Sequence, residues 1–247
     1  MARFTSKIAL VTSCASGSGA AIVRRLVSEG ATVIAADKTG HEALAAELGA
    51  SVIPRHLDAA SEDSVRELEA YIRSEHGRLD ILVNNTGMGG PRCPILDVTA
   101  AEADEVFRYN IHGAFLILQL ALRFMTAQQP AGGSIVLTAS IAGLVATPNS
   151  APYAISKGAV IAMTKTAAVE YASHGIRVNA VAPGPTAVPM VEALGAAATA
   201  GLRARIPQAR LAEPREVAGV VAFLADGEDA GHVTGQVWCV DGGWTAA

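Results

Sequence analysis

Tyr153 and Lys157 lie four positions apart in a stretch, 151–172, whose composition predicts a helix, so a phenol and an ammonium share one face. A phenol with a pKa of about 10 is a poor proton carrier at neutral pH, and a neighbouring ammonium favours the phenolate and lowers that value. Such a pair can take a proton from an alcohol or give one to a carbonyl oxygen. Taken alone, it reads equally well as an exposed helical pair. Ser140 adds context. It lies just past an expected strand at 134–138, at the carboxyl end, where sheets of this type bind ligands. Its hydroxyl can bond a carbonyl oxygen and steady the charge that develops there, or simply serve a turn or helix cap. Asn110 falls inside an expected long helix although asparagine is a poor helix former. It is either a surface residue or a buried polar group with a defined partner.

A second group of residues suggests a phosphate site. The first expected strand ends at Thr12 and leads through Ser13-Cys14-Ala15-Ser16-Gly17-Ser18-Gly19 into a helix. Gly17 and Gly19 carry no Cβ, so a phosphate can approach the backbone, and the following helix offers free N–H groups and a positive dipole end. A glycine pair alone is a weak signal. Asp37 strengthens it by closing the second strand twenty positions after Gly17, where a ribose-binding carboxylate belongs. That carboxylate would accept the adenosine hydroxyls and repel a 2′-phosphate; a turn or capping aspartate is the plain alternative. Lys38 next door could soften the choice by offering a cation, whereas Ser16 carries no charge. NAD is thus favoured over NADP.

The elements that must position these groups alternate along the chain. Strands are expected at 7–12, 31–36, 51–57, 79–84, 134–138, 176–181 and 236–240, and helices at 17–29, 41–48, 61–75 and 151–172. Thr99 and Glu102 resemble a capping box that opens a long helix towards Met125. This βα alternation predicts an α/β fold: a Rossmann-like doubly wound parallel sheet of about seven strands with helices on both faces, in a single domain spanning 1–247. The stretch 186–210 breaks the alternation with Ala, Gly and Pro. It reads as a mobile flap over a site rather than a plain surface excursion, and Met190, Val191 and Leu194 are its apolar underside or ordinary helix core.

Together these residues resemble the single-domain short-chain dehydrogenase/reductase family, over about 7–244. The family's glycine-rich turn is matched by Thr12 to Gly19, its acidic NAD selector by Asp37, and its adenine-contacting aspartate by Asp58, with Leu57 beside it. Its Asn-Asn-Ala-Gly stretch is matched by Asn84-Asn85-Thr86-Gly87, its Asn-Ser-Tyr-Lys tetrad by Asn110, Ser140, Tyr153 and Lys157, and its closing Asp-Gly-Gly by Asp241 to Gly243. The Asn-x-x-x-Pro-Gly run matches Asn179 to Gly184. Ser13 stands where the family has glycine, Thr86 where it has alanine and Ser18 where isoleucine is common. The resemblance implies Tyr153 as general acid/base, Lys157 on the nicotinamide ribose, Ser140 on the carbonyl oxygen, and Asn110 holding a water that links Lys157 to solvent. It also implies that Pro183, Gly184, Thr186 and Val188 flank the nicotinamide, and that the chain forms a tetramer.

Bulk properties limit the alternatives. Of 247 residues, 51% are hydrophobic and 17% charged, which excludes disorder, and aromatics are only 4%, so the core is aliphatic. The net charge of -4 and the lack of a basic face argue against nucleic acid. Cys14, Cys93 and Cys239 form no paired motif, and His112, His174 and His232 stand alone, so neither a disulfide framework nor a metal is expected and a reducing cytoplasm fits. No leader or membrane span is expected. Met88 and Cys93, after Gly87, border a substrate pocket or are plain loop residues. The stretch 151–168 is apolar on nearly every side, so a second subunit is expected against it. The leading expectation is an NAD-dependent oxidoreductase interconverting a small-molecule secondary alcohol and ketone. A 3-oxoacyl-thioester reductase using NADPH and a non-catalytic dinucleotide sensor are the alternatives; the chain is too short for the added domain of an epimerase or dehydratase.

Overall fold

A computed structural model describes residues 2–247, the side chain of Met190 excepted. Seven strands form one parallel sheet in the order β3-β2-β1-β4-β5-β6-β7. They are β1 Ile8–Thr12, β2 Thr32–Asp37, β3 Val52–His56, β4 Ile81–Asn84, β5 Gly133–Thr138, β6 Ile176–Pro183 and β7 Val237–Val240. The central strands β1, β4 and β5 are aliphatic and buried, as a parallel sheet covered on both faces requires. The helices are α1 Gly17–Ser28, α2 His41–Leu48, α3 Glu62–Glu75, α4 Ala100–Phe107, α5 Ala114–Ala127, α6 Ala151–Tyr171, α7 Pro189–Glu192, α8 Ala196–Arg205 and α9 Pro214–Ala225. One face of the sheet packs on α3, α5 and α6 through Leu68, Ile117, Leu120, Val160 and Ala167. The other packs on α1, α2 and α9 through Ile22, Leu26, Leu44, Val217 and Val221.

The strands and α2 match the expectations within two residues at each end. The long helix expected from Thr99 to Met125 does not form as one piece. Its capping box is present, with Thr99 Oγ1 accepting the Glu102 N–H and the Glu102 carboxylate accepting the Thr99 N–H. The helix then widens into a π-helical turn, Arg108–Gly113, before resuming as α5. Gly113 makes this possible: a Cβ there would lie 3.0 Å from the Ala59 carbonyl oxygen, so the turn closes against the chain beyond β3. The sequence reading also passed over α9. Its signal was local: Glu213 and Glu216 form a capping box, with Pro214 at the first helical position.

The carboxyl ends of β1 and β4, neighbours in the sheet, form the switch point where the strand order reverses, so a crevice opens there. Asn179 ties β6 to the chain before β7: its Nδ2 donates to Val233 O at 2.7 Å and its Oδ1 accepts from Gln236 N at 3.0 Å. The Asp241 backbone packs so closely on Gly184 that a Cβ there would meet it at 2.8 Å. The run from Asn179 to Gly184 is therefore fixed by β7 and the turn after it.

Candidate active site

A cavity of about 580 Å³ opens at the carboxyl edge of the sheet. Its walls bring together Ser13, Ser16, Gly17, Ser18, Asp37, Lys38, Asn85, Gly87, Ser140, Tyr153, Lys157, Pro183, Gly184, Thr186 and Val188, all singled out from the sequence. Gly19, Leu57, Asp58, Thr86 and Asn110, singled out too, are not part of its lining.

The turn between β1 and α1 is drawn tight. Gly17 has φ +54°, and a Cβ on it would press on Val188 at 3.0 Å. A Cβ on Gly19 would fall 2.1 Å from Ser13 O and 2.9 Å from Asn85 Nδ2. Ser13, in the family's glycine position, has φ +47°, a left-handed conformation that costs an L-residue about 1–2 kcal/mol. Its carbonyl accepts the Asn85 amide at 3.0 Å. Thr86 turns inward instead of towards the cavity: its hydroxyl bonds that of Thr12 at 2.8 Å. This hydroxyl pair ties the chain just after β4 to β1.

Asp37 sits at the end of β2 facing the cavity. Its Oδ2 accepts the Ala15 N–H at 2.9 Å and its Oδ1 the Lys38 N–H at 2.7 Å. A carboxylate has about four acceptor directions, so two remain for ligand hydroxyls. Leu57 is core, and its N–H donates to the Asp37 carbonyl at 2.9 Å, fixing the strand end from behind.

The four residues read as a tetrad are carried on three elements. Ser140 follows β5 and caps a 3₁₀ turn, Ile141–Gly143, by accepting the Ala142 N–H at 3.1 Å. Tyr153 and Lys157 lie on one face of α6. Asn110 belongs to the π-helical turn and is fully buried, which decides between its two sequence readings. Its Oδ1 accepts Met88 N at 2.8 Å, while its Nδ2 donates to Met88 O at 2.9 Å and to Ser156 Oγ at 3.0 Å. It thus clamps the loop after β4 onto α6. Ser156 in turn donates to Tyr153 O at 2.7 Å.

The electrostatics depart from the sequence expectation. Lys157 was expected to lower the Tyr153 pKa. Instead, burial raises it, and the hydrogen bond with Ser140 and the charge of Arg92 only partly oppose that rise. The Lys157 ammonium lies 5.8 Å from the Tyr153 ring centre and donates to Thr138 O at 2.8 Å. Buried completely, it is pushed down to about 8 by desolvation alone. The same wall holds Glu105, Arg108 and Tyr109, which the sequence reading missed. The signal was adjacency: the turn that buries Asn110 must present its neighbours elsewhere. Among the described residues, no group of three His, Cys, Asp or Glu side chains could hold a metal ion, and the three cysteines are unpaired.

A family model described as "Enoyl-(Acyl carrier protein) reductase" matches residues 14–245. The chain is a short-chain dehydrogenase/reductase. Relatives are similar to this chain over almost their full length. Cis-4-hydroxycyclohexanecarboxylate dehydrogenase of Sinomonas cyclohexanicum is 41% identical over 98% of both chains. The 3-oxoacyl-(acyl-carrier-protein) reductase FabG of Thermotoga maritima is 39% identical over 98% of both. A crystal structure of levodione reductase superposes on this chain with a TM-score of 0.94 at 36% identity, covering 99% of each chain. Short-chain dehydrogenase/reductases are oxidoreductases of nicotinamide nucleotides. The seven-stranded parallel sheet is the fold of that family.

Proposed function

We propose that the protein is an NAD-dependent oxidoreductase that interconverts a secondary alcohol and a ketone, with Tyr153 as general acid/base. One observation carries this reading: Asp37 and the Ser140–Tyr153–Lys157 group face the same cavity from opposite ends of the sheet edge. The cavity fits a dinucleotide. A Cβ on Gly17 or Gly19 would collide with Val188 or with the Ser13 carbonyl, so only glycine lets this turn bring the N-terminus of α1 to the cavity. Gly87 likewise leaves room for Lys157, whose Nζ a Cβ would meet at 2.9 Å. When bound, the nicotinamide donates or accepts the hydride.

The chain's own residues do the rest. Asp37 accepts the adenosine ribose hydroxyls, and Ser13, Ser16, Ser18 and Asn85 line the path towards the phosphates. Asp58 flanks the adenine, Gly19 and Thr86 shape the wall from behind, and Pro183, Gly184, Thr186 and Val188 bound the nicotinamide end. Ser140 holds the substrate oxygen. Tyr153 gives that oxygen a proton in ketone reduction and takes it back in alcohol oxidation. Lys157 bonds the nicotinamide ribose, while Asn110 keeps the loop after β4 in place and supports a water path from Lys157.

The segment 186–210, with Val188 already against Gly17, acts as a substrate flap on a single domain. Phe115 on α5 and Ile155 and Val169 on α6 are exposed apolar side chains on helices of one sheet face, and they support a homo-oligomer, a tetramer as in the family. No helix among the described residues is long and apolar enough to cross a membrane. The unpaired cysteines favour a reducing cytoplasm.

Two relatives' names, a hydroxycyclohexanecarboxylate dehydrogenase and a 7alpha-hydroxysteroid dehydrogenase, place the hydroxyl on a ring carbon, so cyclic alcohols head the substrate panel. The relative named as a 3-oxoacyl reductase favours a second reading, an NADPH-dependent thioester reductase. Titration with NADH and NADPH by nucleotide fluorescence, followed by turnover on both panels, separates the two. Tighter NADH binding with turnover of a cyclic secondary alcohol is expected. Tighter NADPH binding with turnover of 3-oxoacyl thioesters would replace the first reading with the second, and no binding of either would end both.

A further inference from the structure

Lys38 directly follows Asp37 at the mouth of the cavity, where a cation could meet a phosphate on the adenosine 2′-oxygen. Its ammonium is already engaged. Nζ lies 3.1 Å from Asp58 Oδ2 and 5.0 Å from the centre of the Tyr109 ring. Its backbone is held as well: Lys38 N donates to Asp37 Oδ1 at 2.7 Å, and Lys38 O is 3.1 Å from His56 Nδ1.

The two partners are themselves anchored. Asp58 Oδ1 accepts the Ala60 N–H at 3.0 Å, and Asp58 N donates to Ser64 Oγ at 3.0 Å. Burial raises the Asp58 pKa, but the Lys38 hydrogen bond, the Ala60 amide and the charges of Lys38 and Arg108 outweigh it and keep the carboxyl below its usual value. Asp58 is thus a charged partner throughout the neutral range. Tyr109 is half-buried, and it lines the same wall of the cavity as Lys38. Tyr109 and Asn110 are consecutive in the π-helical turn. One turn therefore sends Asn110 into the catalytic end and places a ring beside Lys38 at the other. The charged groups around this end of the cavity are Asp37, Lys38, Asp58, Glu105 and Arg108. Arg108 is exposed, and no acidic side chain lies within 4.0 Å of it among the described residues.

We propose that Asp58 and Tyr109 are specificity-determining residues that hold the Lys38 ammonium at the end of β3, away from the ribose, so that Asp37 alone sets the 2′-subsite and a nucleotide without a 2′-phosphate is selected. This rests on the cavity being the nicotinamide-nucleotide site. An ion pair plus a ring face is a shallow trap for an exposed ammonium, and removing either partner frees a cation one residue from the carboxylate that rejects phosphate.

The test is a mutant cycle read as the ratio of Kd for NADPH to Kd for NADH, by fluorescence titration of the full-length protein. Using the ratio cancels any change in adenine contact that Asp58→Asn causes, since both nucleotides carry the same adenine. Wild type binds NADH more tightly, and Lys38→Ala leaves the ratio within about twofold, because a pinned cation contributes little to it. Asp58→Asn lowers the ratio by about fivefold through tighter NADPH binding, the order expected for one released charge pair. Asp58→Asn with Lys38→Ala restores it. Tyr109→Leu moves the ratio the same way by a smaller factor, and serves alone if Asp58→Asn does not fold. Arg108→Ala, which leaves the Lys38 contacts intact, changes the ratio by less than twofold.

A ratio that shifts fivefold in Lys38→Ala alone, or that shifts in Asp58→Asn and persists in the double variant, would overturn the proposal. So would a shift in Arg108→Ala larger than that in Asp58→Asn. These outcomes leave the nucleotide site standing. Failure of wild type to bind either nucleotide removes the site itself, and the proposal with it.

Discussion

Lys157 is the buried charge that this site must tolerate. Its pKa is about 8 when folded, against 10.5 for the free side chain. Between those values the unfolded chain binds more protons than the folded one, so stability rises with pH across that window. Below about pH 8 both states are protonated and the burial cost is constant. Lys157→Met removes this dependence. The wild-type stability, measured by urea unfolding, is expected to gain on that of Lys157→Met by on the order of 2 kcal/mol between pH 8 and pH 10. Equal pH profiles for the two proteins would mean that the ammonium is not desolvated. Tyr153 makes a separate prediction. In the proposed reaction its hydroxyl serves chiefly the substrate oxygen, so Tyr153→Phe is expected to lower kcat by about a thousandfold and to change Kd for NADH by less than about threefold.

At the scale of elements, the Ile141–Gly143 turn that Ser140 caps packs directly on α6, the helix that carries Tyr153. Gly143 is the contact: a Cβ there would meet the Lys157 carbonyl carbon at 2.7 Å and the Gly158 N at 2.8 Å. Neither backbone can yield cheaply. Gly143→Ala is expected to push the turn off the helix and lower kcat/KM by about tenfold to a hundredfold, with a loss of thermal stability. Gly158 faces the same contact from the helix, but its nearest neighbour would be 3.9 Å away. Gly158→Ala is expected to be active and stabilised by about 0.5–1 kcal/mol, because alanine is the better helix former. Steady-state kinetics and thermal melts of the pair check both. If both variants behave alike, the turn is not held by this contact.

For the whole molecule, the apolar side chains left exposed bear on assembly. Val169 on α6 is 82% exposed, and Phe115 on α5 and Ile155 on α6 are about half exposed. Exposed apolar side chains on two helices of a 25.3 kDa chain predict a sedimentation mass several times the monomer. Val169→Glu is expected to shift that mass downward at micromolar concentration without changing the circular dichroism spectrum. A monomer mass for wild type would remove the oligomer from the account.

Much of this was legible from sequence because it is written in short-range signals. The alternation of β and α runs, the glycine turn after β1, Asp37 closing β2 and the four-residue step from Tyr153 to Lys157 follow from spacing along the chain. Propensity and period report such features directly, whereas Asn110 and Ser140 joined that pair only through the family resemblance. Other features depend on residues far apart in sequence, and the tertiary structure alone decided them. The break after α4 exists because Gly113 meets the chain beyond β3 and Asn110 bonds Met88 and Ser156. Thr86 faces inward because Thr12 offers it a partner across β1 and β4. The engagement of Lys38 by Asp58 and Tyr109 joins residues from three separate elements. The raised pKa of Tyr153 follows from burial, which no local spacing encodes. The sequence determined which groups could do the chemistry; packing decided their charge states and their neighbours, because desolvation and contact depend on the whole fold.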